Sequence, residues 1–181
     1  MAITTFTGPV KSINGFINGY GSVSSLSAGA TDIITSDNIN NYAGRTLYYG
    51  STSAATITLP AINSSSASGV SGPGGDYNSQ NNIGTSFIFV LGATVTGDFI
   101  VKVANSSDTI FGISNTYSST TGDVTGFVAS GTDDTITLNG TTTGGRAGSI
   151  IRITAVAANK WFVELSVSAS GSLATPFSAT V

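Results

Sequence analysis

The chain has 181 residues with six basic and nine acidic side chains, a net charge of −3, and charged residues make up 8% of it, against roughly a quarter in an ordinary soluble domain. It contains no histidine and no cysteine, and Glu164 is its one glutamate. The usual proton shuttle, the thiolate nucleophile and the zinc sites built from Cys and His are thereby excluded.

The length fits one domain able to bury about 70% of the surface its unfolded form exposes, so the lack of disulfides points to no compartment. Lys11, Arg45, Lys102, Arg146, Arg152 and Lys160 stand apart from one another, and without a basic stripe nucleic acid is not expected as a partner. The longest apolar runs, 87–91 and 99–101, are too short to cross a bilayer, so no membrane association is expected. A surface so poor in charge is weakly protected against association, which predicts cover by other subunits.

Residues 1–30 hold five glycines and one proline, which argue against a helix and for an extended arm. Its start has neither the basic residues nor the apolar core of a signal peptide, so synthesis in a cytoplasm is expected. Phe6, Ile13, Phe16 and Ile17 are too apolar for a free tail and too interrupted by glycine for a self-contained element, so they are candidate contacts to a partner surface.

From residue 31 onward, short runs of β-branched and aromatic residues alternate with Gly, Asn, Asp and Ser, which predicts strands. They fall at 32–35, 46–49, 56–59, 86–91, 99–104, 109–113, 126–129, 135–138, 149–157 and 161–168. No segment shows helical periodicity. In the two Thr-Ile-Thr-Leu segments, Ile57, Leu59, Ile136 and Leu138 should face a core and the threonines should face outward. Residues 63–82, rich in glycine, read as a long surface loop.

The closing hairpin runs from Ile151 through Ala158-Asn159 to Leu165, with Asn159 suited to a positive φ. Trp161 and Phe162 point to opposite faces of one strand, so they are core or interface anchors. Two loosely repeated halves predict an all-β fold: an antiparallel β-sandwich, jelly-roll-like, over residues 31–170, preceded by the arm and followed by an extended tail at 171–181.

Candidate chemistry is sparse. Glu164 with an aspartate would make a glycosidase pair, but alternation places it on the solvent face of a strand. Asp133, Asp134 and Asn139, or Asp108 after Ser106-Ser107, offer oxygens of the kind calcium takes; their spacing matches no calcium loop, and turn and strand-end roles are preferred. The glycine clusters at 72–75 and 144–148 lack the ending of a phosphate-binding loop and read as flexible turns. The tyrosines suit half-buried pairing better than sugar stacking, and Thr141-Thr142-Thr143 lacks the fixed period of an ice-binding array. No catalytic residue, cofactor or metal site is expected.

Four features carry a resemblance. They are the opening Gly8-Pro9-Val10-Lys11-Ser12-Ile13-Asn14-Gly15-Phe16-Ile17, the Thr-Ile-Thr-Leu-Pro strand followed by Gly-Thr-Ser-Phe-Ile-Phe, the Trp161-Phe162-Val163 strand, and the ending Ala174-Thr175-Pro176-Phe177. With them the chain resembles small virion structural proteins of tailed bacteriophages, above all capsid decoration (cement) proteins. The resemblance implies a homo-oligomer, commonly a trimer, seated on the outer capsid surface and clamping the major capsid protein. Tail-fibre modules share such β patterns, so a receptor-binding virion protein recognising host-surface glycan is the alternative.

Overall fold

The computed structural model describes residues 23–26, 31–33, 42–64 and 82–181. Phe6, Ile13, Phe16 and Ile17, and most of the loop at 63–82, lie outside them. The described residues form twelve strands and no helix: β1 (Val23–Ser25), β2 (Thr31–Ile33), β3 (Thr46–Tyr49), β4 (Ala55–Thr58), β5 (Ser86–Leu91), β6 (Phe99–Lys102), β7 (Thr109–Ser118), β8 (Val124–Val128), β9 (Thr135–Leu138), β10 (Ile150–Ala157), β11 (Lys160–Ala169) and β12 (Phe177–Ser178).

They build two sheets. The first has the order β1-β3-β5-β10-β11-β7-β8 and the second β12-β9-β6-β4-β2. From β1 to β6 the chain alternates between the sheets, and each strand lies parallel to the one two before it. The result is three turns of a two-sided coil. The later strands close it: β10 runs antiparallel to β5, β9 antiparallel to β6, and β11 and β7 extend the larger sheet in parallel register from Lys160↔Thr109 to Ala169↔Ser118.

The sheets are therefore mixed, which corrects the antiparallel, jelly-roll-like expectation. A parallel pair needs a crossover of a dozen or more residues, and here the crossover is itself a strand of the opposite sheet. Alternation within a strand is the same for either partner direction, so the local pattern carries no sign of it.

Burial follows that alternation. β5 buries Phe87, Phe89 and Leu91 and turns Ser86, Ile88 and Val90 outward; β11 buries Trp161, Val163, Leu165, Val167 and Ala169. Ile57, Leu59, Ile136 and Leu138 are fully buried, as their spacing predicts. Of the threonines beside them Thr56, Thr58 and Thr137 are half-buried, whereas Thr135 is buried and bonded to Asp134 and Thr180. Rings from the two sheets meet in one core: Phe99 of β6 lies 5.1 Å from Tyr49 of β3 and 6.2 Å from Phe89 of β5, centroid to centroid.

The turn between β10 and β11 carries Asn159 at φ 58°, as its sequence predicts, and a register shift between Ala155 and Ala157 precedes it. Two boundaries move. β1 lies within the stretch read as an arm but pairs with β3, so the sheet begins by Val23. The tail at 171–181 is extended but docked, since β12 pairs with β9. The long loop leaves and returns at one point, where the Asn82 amide donates to the Asn63 carbonyl at 3.0 Å and the Asn63 amide donates to the Asn82 side chain at 2.8 Å.

Candidate interaction surface

The outer face of the larger sheet is unusual for a sheet turned to water, because about half of its outward side chains are apolar. The origin is clearest in β7, Thr-Ile-Phe-Gly-Ile-Ser-Asn-Thr-Tyr-Ser. Its inward positions after Ile110 are Gly112, Ser114, Thr116 and Ser118, while Phe111, Ile113 and Tyr117 point out and are exposed. An ordinary half-buried strand does the reverse. The inward hydroxyls of Ser114 and Thr116 bond each other at 3.1 Å and are fully buried, so they are satisfied, and the apolar side chains are left for something outside the fold.

Neighbouring strands extend the patch. Phe162 of β11 is 40% exposed and packs edge-on against Phe111 at 5.6 Å. On the far side β8, an edge strand, presents Val124 and Val128, the latter 75% exposed, beside Tyr117 and Ile113. Toward β5 the face continues through half-buried Ile88, Val90 and Ile150 to Tyr48 of β3. Two charges sit at its middle: Arg152 of β10 and Glu164 of β11 are cross-strand neighbours, their side chains are 52% and 51% exposed, and their charged atoms are 3.9 Å apart.

The sequence-predicted anchors separate. Trp161 is 0% exposed, with its ring 6.0 Å from that of Phe87, and is a core residue whose Nε1 has no hydrogen-bond partner. Phe162 belongs to the outer face. Glu164 lies on the solvent face, as alternation predicts. The oxygens weighed as cation ligands are engaged locally. Asp108 accepts from the Ile62 amide at 3.0 Å and from Asn105 at 3.1 Å; Asp133 accepts from the Ser130 amide at 2.6 Å; Asn139 accepts from the amides of Thr141, Thr142 and Thr143. Among the described residues no group of three or more acidic side chains is placed to hold a metal ion.

Asp134 is buried and fastens the tail. Its carboxylate accepts from the Thr180 amide at 2.8 Å, the Val181 amide at 3.1 Å and the Thr135 hydroxyl at 2.7 Å. Burial pushes its pKa up, but these hydrogen bonds and the positive charge of Lys102 outweigh burial and hold it below the ordinary 3.8. The cluster at 144–148 is packed rather than flexible at its centre: Gly144 is buried at φ +99°, and a Cβ there would meet Val167 at 2.7 Å.

A second, polar feature lies at the end of the β7–β8 hairpin. A groove of about 490 Å³ is lined by Ser118, Thr120, Thr121, Asp123, Ser170 and Ser172 among others. Comparison with protein-family models, with curated proteins and with solved structures finds no match for this chain.

Proposed function

We propose that the protein is non-catalytic and works by docking, as a decoration or cement protein on the outer surface of a phage capsid, where it associates with itself and clamps the major capsid protein. The observation that carries the docking part is the apolar outer face of the larger sheet, with the inverted pattern of β7 at its heart. The phage setting is supported by the resemblance of the opening segment, the Thr-Ile-Thr-Leu-Pro strand and the ending to such proteins. A clip of this kind stabilises a shell because it binds assembled subunits and not free ones, which is linkage by mass action.

The test is co-sedimentation of the purified protein with emptied phage heads, alongside a chain lacking residues 1–22, which keeps β1 and every later strand. Binding by the full chain with a loss of roughly tenfold or more on truncation is the result expected if the opening apolar residues reach the shell. No sedimentation of the full chain with any head lattice would sink the reading.

A receptor-binding role on the virion is favoured by one observation, the hydroxyl-lined groove with Asp123 at its edge, since convergent hydroxyls and a carboxylate suit a sugar. Saturable binding of host-surface glycan, lost in Asp123→Ala, would select it over the capsid role.

A further inference from the structure

We propose that the outer face of the larger sheet docks a second copy of this chain about a two-fold axis that lies in the contact plane and runs between β10 and β11. The proposal is independent of what else the protein binds, because it rests on how the face complements itself.

Charge decides the axis. Arg152 and Glu164 are direct neighbours across the β10–β11 pair, and a rotation about the line between those strands lays Arg152 of each copy over Glu164 of the other. An axis across the strands would instead set arginine on arginine. The 3.9 Å separation and half-exposed side chains leave both groups free to bond a partner, and four alternating charges then close a neutral cluster inside an apolar surround.

The same operation matches the remaining rows by size. β5 of one copy falls on β7 of the other, and β3 on β8. The row that holds Ile88, Arg152, Glu164 and Ile113 therefore puts Ile88 against the other copy's Ile113. The row that holds Ser86, Thr154, Phe162 and Phe111 puts each phenylalanine over a small hydroxyl residue. In the row from Tyr48 through Val90, Ile150, Ser166 and Asn115 to Gly126, Gly126 leaves room opposite Tyr48, whose ring lies along Gly50 and Gly92 of its own chain. The phenylalanines thus meet small side chains while isoleucine meets isoleucine, an arrangement that lets the two facing sheets interdigitate around the charged centre.

The area suffices. The six strands from β3 to β8 in sheet order, four to ten residues long, at about 3.3 Å per residue and about 4.8 Å spacing give a flat face of roughly 700 Å² before corrugation. A stable interface buries about 800 Å² of accessible surface on each side. An isologous contact of this kind closes on itself and sets an even number of copies.

The test uses the full chain and its charge-reversed forms, Arg152→Glu and Glu164→Arg. Mass is measured by analytical ultracentrifugation from micromolar to roughly 100 µM, with the near-ultraviolet spectrum of Trp161, the one tryptophan, reporting the fold. The unaltered chain should dimerise, each single variant should associate at least roughly tenfold more weakly, and an equimolar mixture of the two should recover a one-to-one dimer. Phe162→Ser, which leaves the charges alone, should also weaken association.

A chain that stays monomeric over that range overturns the proposal. So does association untouched by all three substitutions, which would put the contact elsewhere, or a trimer that the mixture fails to restore, which would make the contact head-to-tail. Loss of capsid-head binding in the variants with no change in their own mass would assign the face to the shell and equally overturn it.

Discussion

At the level of single residues, Asp134 couples the fold to pH. Its folded pKa is depressed, so the stabilisation it gives is fully present above the ordinary carboxylate value of 3.8 and is lost as pH falls through the lower folded value. Protonation weakens the bonds that hold Thr180 and Val181, and with them the seating of β12 on β9. Asp134→Asn is expected to lower stability by about 1–3 kcal/mol at neutral pH and to flatten the loss between pH 5 and the acid limit, as read from melting curves of both proteins across that range. An acid limb of unchanged steepness in the variant would show that other carboxylates set it. Trp161 is a different case. Trp161→Ala should cost about 3–5 kcal/mol, whereas Trp161→Phe keeps a ring against Phe87 and removes an unpaired N–H, so denaturant titration should find it much the milder change.

Among the elements, β7 shows best what the sequence did and did not disclose. Its first half reads as a strand from Thr109 to Ile113 because Ile110 and Phe111 look like core; its second half, with Ser114, Thr116 and Ser118 inward, gives no hydrophobic signal although it is equally paired. The outward stripe of Phe111, Ile113 and Tyr117 was legible in principle, since large apolar residues alternating with small polar ones over ten positions invert the usual pattern. Only knowledge of which side faces the core turns that alternation into a surface. Phe162 was placed correctly in opposition to Trp161 because period-two geometry needs no partner. The parallel coil was not legible: β1 and β2 have three residues each, and their pairing is settled by crossovers through the other sheet. Within β7, Gly112 sits at φ +140°, and a Cβ there would fall on the Val163 carbonyl of β11. Gly112→Ala should therefore cost about 1–3 kcal/mol by pushing β7 off β11, and hydrogen exchange should show β7 and β8 opening while β3 and β5 stay protected.

For the whole molecule, scarcity of charge and an apolar sheet face are two sides of one property. A net charge of −3 over 181 residues provides little repulsion between copies, and the Arg152–Glu164 pair on the face sums to zero, so the long-range field opposes close approach only weakly. If the second copy binds the folded chain and not the unfolded one, dimerisation must raise the melting temperature with protein concentration. The gain is RT ln(1 + [L]/Kd), about 2.7 kcal/mol when the free copy stands at a hundred times its dissociation constant. For a domain of this size about 1 kcal/mol moves the midpoint by roughly 2–4 °C. A hundredfold increase in concentration starting near the dissociation constant should therefore lift the midpoint by about 5–10 °C, while Glu164→Arg, monomeric over the same range, should melt at one temperature throughout. Salt supplies the control. The screening length shrinks from about 10 Å at 0.1 M salt to about 3 Å at 1 M, which weakens a pair at the surface, but burying the apolar rows between copies does not depend on it. The concentration dependence should thus persist at high salt, and its disappearance there would mean that the charges alone, and not the apolar face around them, hold the copies together.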